Sequence, residues 1–120
     1  MSESHKPIVV VDELPELTQM RDQAGAASQL LKSMGNQHRL FILCLLCAGE
    51  LSVGEINQRI NLAQSAVSQH LAVLRRDDLV VTRKESQMVF YSLKSGVVEK
   101  IIRLLHAEFC DPLEKQVVTR

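Results

Sequence analysis

Tryptophan is absent from the 120 residues, and phenylalanine and tyrosine number only three and one. Single-stranded nucleic acid is held by stacking bases on such rings, so Phe41, Phe90, Tyr91 and Phe109 are too sparse for a stacking platform, and duplex DNA is the better expectation for any nucleic-acid partner. No run approaches the roughly 20 apolar residues of a membrane span, and no N-terminal signal pattern appears, so the expected setting is cytoplasmic with no membrane partner. Three cysteines, an odd number, argue against a permanent disulfide framework in a reducing compartment and leave reactive thiols open. No nucleophile stands at a recognisable spacing from a base, and no phosphate loop is present. Neither an enzyme nor a bound cofactor is expected.

A net charge is also missing: 14 basic residues balance 14 acidic ones. The balance is uneven along the chain, however. Residues 1–24 hold Glu3, Asp12, Glu13, Glu16 and Asp22 against Lys6 and Arg21, a net of −3, so the remainder carries +3. Arg59, Arg75, Arg76, Arg83, Lys84 and Lys94 against Asp77, Asp78 and Glu85 place that excess within residues 56–94. This is a modest electrostatic footprint, consistent with few phosphate contacts and a moderate salt dependence.

Length suits one domain with a small core, to which dimerisation would add. Residues 1–14, with Pro7 and no helical period, are expected to form a flexible N-terminal tail, and residues 111–120, after Cys110, a C-terminal tail. Between them lies a domain over 15–110. A helix can start at Glu16, after Pro15, with Leu17, Met20, Ala24, Ala27, Leu31 and Met34 keeping a three-to-four spacing. Asn36 is a good cap for a second helix, from Gln37 to about Gly49, whose run RLFILCLLCA is apolar all round. Such a helix belongs at the centre of the fold or between subunits. The final helix, about 96 to 109 or 110, carries two adjoining stripes: Val98, Ile102, Leu105 and Phe109, and Val97, Ile101 and Leu104. Two stripes exceed the needs of one small core, so this helix is expected to pack against a partner subunit.

The centre of the chain is the most informative. Ser52 and Glu55 form an S-x-x-E capping box that opens a short helix, about 53 to 60. Asn61 and Leu62 make a turn, and a second helix runs from Ala63 or Gln64 to about Asp77. Val67, Leu71 and Leu74 share its inward face. Gln64, Ser65, Ser68 and Gln69 lie outward in its first turns, the part of a recognition helix that meets base edges in the major groove. Glutamine matches the N6 and N7 edge of adenine, and serine hydroxyls serve bases or phosphates. His70 packs half-buried or faces phosphate. Arg75 and Arg76 complement the helix dipole or reach phosphate with about equal weight. Two β-rich runs of six, VVTRKE and MVFYSL, flank a tight SQ turn and form a wing, with Arg83 and Lys84 near its tip.

The runs NQHRLFILCLL, ELSVGEI, QSAVSQHLAVLRRDDLV and TRKESQMVFYSL together resemble the ArsR/SmtB winged-helix regulators over roughly two thirds of the chain, and within them the metal-independent, thiol-bearing HlyU/BigR/SqrR branch. The fold that follows is mainly α with a small β-hairpin, a winged helix-turn-helix ordered α-α-α-α-β-β-α and assembled as a homodimer. The resemblance implies that the first and last helices build the dimer, and that Arg39 is a recurrent structural anchor. A two-fold dimer sets its recognition helices about 34 Å apart, so the partner would be a palindromic double-stranded DNA operator. Two departures stand out: Ala63 replaces a serine cap, and Asp78 replaces a glycine after the recognition helix.

Many regulators with this resemblance sense metals, but their ligand patterns are missing. Ser52 and Gly54 stand where the thiolate-type site has cysteines, and the last helix has His106 and Phe109 with Leu93 and Ser95 at the earlier ligand positions. No metal site is expected. The resemblance instead matches Cys44 and Cys110 to a reactive pair that oxidants or sulfane sulfur would join as a disulfide or polysulfide, making reactive sulfur or an oxidant the inducer. The competing reading is that buried cysteines in FILCLLCA behave as small hydrophobes. It is adopted for Cys47, with an auxiliary role at most, because Cys44 and Cys47 stand mid-helix with Cβ atoms about 5–6 Å apart, beyond the disulfide range of about 3.5–4.5 Å. On the thiol reading the reduced protein binds DNA and the bridged protein releases it. The other outcomes considered are an anti-repressor that displaces another DNA-bound protein, and a metal-responsive repressor, disfavoured by the missing ligands.

Overall fold

A computed structural model describes residues 15–94 and 96–110, so the two expected tails lie outside the described residues. The chain divides into two compact units, 1–32 and 33–120. The expected domain over 15–110 spans both. In the first unit the described residues form most of helix α1, Pro15–Met34, which starts one residue earlier than the sequence suggests. Proline suits the first turn of a helix, where its missing amide has no intrahelical partner. Met20 and Leu31 are exposed on α1.

The second unit begins with the end of that helix, where Ser33 and Met34 are buried. Helix α2, Gln37–Cys47, follows, and Asn36 caps it as expected, its Oδ1 accepting from the amides of His38 and Arg39 at 2.9 and 3.0 Å. Arg39 reaches back from its Nε to the Ser33 carbonyl at 2.7 Å, which ties the start of α2 to the end of α1. Helix α3, Val53–Arg59, opens on the complete capping box: Ser52 Oγ accepts from the Glu55 amide at 3.1 Å and Glu55 Oε1 from the Ser52 amide at 2.8 Å. Helix α4 spans Gln64–Arg76, and Ala63 in the cap position offers its orphan amides no side-chain partner.

Helix α4 ends in a Schellman turn, with Leu79 N donating to Leu74 O at 2.8 Å and Asp78 N to Arg75 O at 3.1 Å. The turn sets Asp78 in the left-handed region at φ 65°, where glycine is the usual occupant. Leu74 and Leu79, the two residues such a turn brings together, are both fully buried.

Three strands form one antiparallel sheet in the order β1-β3-β2, with β1 at Leu51–Ser52, β2 at Val80–Glu85 and β3 at Met88–Leu93. The hairpin of β2 and β3 has the expected bounds, and Ser86 takes φ 58° in its two-residue turn. The third strand, β1, was not expected: Leu51 pairs with Tyr91 and Ser52 with Phe90. The wing is thereby anchored to the chain segment that leads into α3.

Helix α5, Gly96–Phe109, closes the unit. The core gathers Ile42, Leu43 and Leu46 of α2, Ile56 of α3, Val67, Leu71 and Leu74 of α4, Val80 of β2, and Val98 and Ile102 of α5. Each such side chain contributes about 1.5–3 kcal/mol when fully buried. Burial within the single chain uses only part of the two apolar helices. Helix α2 is not covered all round, since Phe41 and Cys44 are exposed. The first stripe of α5 is buried only at Val98 and Ile102; Leu105 is half-buried and Phe109 is 78% exposed, while Val97 and Leu104 of the second stripe are also exposed.

Candidate functional site

Two faces of the second unit carry the residues singled out by the sequence. On the first, burial of Val67, Leu71 and Leu74 turns the opposite side of α4 outward. Gln64, Ser65, Ser68 and Gln69 are all exposed there. Between α4 and the sheet a cleft of about 430 Å³ is lined by Ser68, Ala72, Arg75, Arg76 and Tyr91, bringing Arg75 to the seam of helix and wing. Arg75 and Lys84 are exposed and have no ion pair among the described residues.

Arg83 and Arg76 are already engaged. Arg83 donates to both oxygens of Glu50, Nε to Oε2 and Nη2 to Oε1, each at 2.9 Å, and to Glu85 Oε1 at 2.9 Å. Its guanidinium also lies 4.7 Å from the Phe90 ring centroid. These bonds push the guanidinium pKa up and hold the Glu50 carboxyl below its ordinary value. Arg76 is similarly paired with Asp77 at 3.1 Å. No local pattern signals the Glu50 contact, because its partner is far along the chain and on another element.

His70 parts company with its neighbours on α4. Its ring is half-buried, 5.7 Å from the His38 ring, with Nδ1 3.5 Å from Arg39 Nη1. Burial, then Arg39, then His38 lower its pKa, since each disfavours the charged ring. Of the two readings left open for His70, packing is the one this geometry favours: it braces α4 against the start of α2. Nearby, Ser33 Oγ donates to Asp77 Oδ2, a second link to the end of α4.

The second face joins α2 and α5. A cleft of about 260 Å³ is lined by Leu40, Cys44, Ile102, Leu105, His106, Phe109 and Cys110. It brings Cys44 and Cys110, distant in sequence, to the rim of one apolar hollow. Both residues are exposed in the single chain. The Cys44 thiol pKa is nevertheless raised, first by desolvation and then by Cys47 and Cys110. Cys47 is half-exposed, and it is the last residue of α2, not a mid-helix position as the sequence suggested. It joins Cys44, Arg103 and His106 in an adjoining cleft of about 370 Å³. Burial raises the Cys47 thiol pKa, Arg103 opposes that rise, and Glu99 adds to it. Among the described residues no three His, Cys, Asp or Glu side chains are grouped to hold a metal ion. No helix among them is long and apolar enough to cross a membrane.

Comparison with known proteins gives this geometry a context. Residues 36–82 match the family described as bacterial regulatory protein, arsR family. The chain is 55% identical over 94 residues to the transcriptional activator HlyU of Vibrio cholerae, covering 78% of this chain and 87% of the relative. It is 38% identical over 104 residues to the biofilm growth-associated repressor of Agrobacterium fabrum, covering 87% and 88%. The solved structure of reduced HlyU from Vibrio cholerae superposes with a TM-score of 0.72 at 55% identity, over 78% of this chain and 98% of that one.

Proposed function

The chain belongs to the arsR family of bacterial regulatory proteins, as a DNA-binding transcriptional regulator, and from that premise we propose that it grips a palindromic operator as a homodimer whose affinity is set by Cys44 and Cys110. The observation that carries this reading is the hollow shared by the two thiols. Cys44 sits on α2, whose Ile42, Leu43 and Leu46 are locked in the core, whereas Cys110 directly follows the end of α5. A disulfide or polysulfide between them ties the last helix to the second.

The exposed Val97, Leu104 and Phe109 of α5 support a subunit interface on that helix, because an apolar stripe left in water favours a partner. Redirecting α5 then changes the spacing of two recognition helices, which must match successive major grooves about 34 Å apart. A coupling of about 1–3 kcal/mol alters operator affinity 5-fold to 150-fold. In the reduced dimer Gln64, Ser65, Ser68 and Gln69 read bases, while Arg75 and Lys84 meet phosphates. Reactive sulfur or an oxidant is the inducer, and the protein works in the cytoplasm, where its operator is.

The deciding experiment measures operator binding by the reduced chain, before and after a persulfide donor or peroxide, with mass spectrometry of the Cys44 and Cys110 peptides. A linked pair accompanied by weakened binding is the expected result. Unchanged binding with both thiols free overturns the switch. One observation favours a second outcome for transcription. The 55% identical relative is named an activator and the 38% identical one a repressor, so release from DNA and displacement of another DNA-bound protein are both to be scored, with a transcription readout separating them.

A further inference from the structure

We propose that Cys44 and Cys47 form a second sulfane-sulfur acceptor on this chain, closing as a trisulfide within the last turn of α2. The proposal builds on the thiol-sensing reading above but uses a different pair of residues. Cys44 and Cys47 stand at i and i+3 on one helix and line the same cleft, opposite Arg103 and His106 of α5. Cβ atoms so spaced are about 5–6 Å apart, and a disulfide needs about 3.5–4.5 Å. One inserted sulfur lengthens the bridge by about one S–S bond, roughly 2 Å, which matches the gap without moving the backbone.

The backbone here is well held. Asn36 caps one end of α2, and at the other Ala48 N donates to Leu45 O at 3.2 Å and Gly49 N to Leu46 O at 3.1 Å. Ile42, Leu43 and Leu46 are buried between these caps. Drawing Cys47 toward Cys44 by the further ångström or more that a disulfide demands breaks the closing bonds and shifts Leu46 in the core. A trisulfide leaves both in place.

The chemistry closes with a persulfide donor as sole oxidant. The Cys44 thiolate attacks the terminal sulfur of R–S–SH, giving Cys44–S–SH and releasing the donor as its thiolate. A second donor does the same at Cys47. The deprotonated Cys44 persulfide then attacks the inner sulfur of the Cys47 persulfide, expels HS⁻ and leaves Cys44–S–S–S–Cys47. Two sulfane sulfurs enter; one remains in the bridge, and the other leaves reduced, carrying the two electrons given up by the joined thiols. Arg103, whose charge reaches Cys47, draws the anionic donor into the cleft, although its Nη2 is shared with Glu99 at 2.8 Å. Peroxide brings no sulfur to the bridge, and the disulfide it would leave is too short for Cβ atoms about 5–6 Å apart, so the site selects for sulfane sulfur.

The test treats the full-length Cys110→Ser chain with glutathione persulfide, digests it with trypsin, and weighs the peptide Leu40–Arg59, which contains both cysteines. The expected product has gained one sulfur and lost two hydrogens, with far-ultraviolet circular dichroism unchanged. Finding only open persulfides on single thiols overturns the proposal. So does a peroxide-treated peptide that has lost two hydrogens without gaining sulfur, because the disulfide would then close in the native helix. If Cys110→Ser folds poorly, the unmodified chain serves, since Cys110 falls on a separate tryptic peptide. The Cys47→Ser chain tests the other reading independently: a Cys44–Cys110 link that forms there stands whatever becomes of the trisulfide.

Discussion

Arg83, near the tip of the wing, and Glu50, just beyond the end of α2, face each other in a two-bond ion pair, both contacts at 2.9 Å. The wing's arginine is thus already paired, and any phosphate must compete with a carboxylate for it. Replacing Glu50 with Gln removes one of the arginine's two carboxylate partners and leaves the contact with Glu85 at 2.9 Å. The expected result is several-fold tighter binding to duplex DNA at low salt, largely regardless of sequence, with the salt slope steeper by about one unit. Titrations across a salt series measure both. Weaker binding would mean that the pair's role is to orient the wing.

Ala63 leaves the first turn of α4 without a side-chain acceptor. Ala63→Ser supplies one, and the chain should gain about 1 kcal/mol in denaturant unfolding. The gain falls on the helix proposed to read DNA, so operator affinity should hold or rise.

Asp78 holds φ 65° in the Schellman turn, a conformation that costs an L-residue more than it costs glycine. Asp78→Gly removes that cost and forfeits only an exposed ion pair to Lys94 at 3.4 Å, which is worth little. A net gain of about 0.5–1 kcal/mol is expected, after the greater freedom of glycine in the unfolded chain is deducted. Urea midpoints for the two chains decide it.

His70 has a pKa lowered from 6.5 in the folded chain. The unfolded chain therefore binds the proton first as pH falls. The stabilisation from a neutral His70 is fully present above pH 6.5 and is lost as pH drops toward the depressed folded value. Thermal unfolding between pH 7.5 and pH 5 should show a decline that is shallower in His70→Gln, to about the extent of one proton. Equal slopes in the two chains would remove His70 from the acid response.

The Cys44 thiol is raised above its ordinary value of 9.0, so near neutral pH little of it is thiolate. Its alkylation by iodoacetamide should quicken with each step in pH up to and past 9.0, about tenfold per unit at the lower end. A rate that levels off near neutrality would show an activated thiol instead.

Much of this molecule was legible in the order of its residues. The capping box at Ser52 and Glu55, the cap at Asn36, the inward triad Val67, Leu71 and Leu74, and the bounds of both wing strands depend on neighbours within a turn or a hairpin, so local pattern was enough to find them. Cys44 and Cys110 were matched by resemblance, but periodicity could not tell that α2 leaves Cys44 exposed. Strand β1 is two residues long, too short for any pattern, and it exists because Leu51 and Ser52 find Tyr91 and Phe90. The placement of His70 against Arg39, the pairing of Arg83 with Glu50, and the hollow joining α2 to the end of α5 are of the same kind. The elements and their inward faces follow from residue order, because hydrogen bonds and burial periods act over a few residues. Which charges are already paired and which thiols share a cleft follows from packing between segments that the chain order leaves far apart.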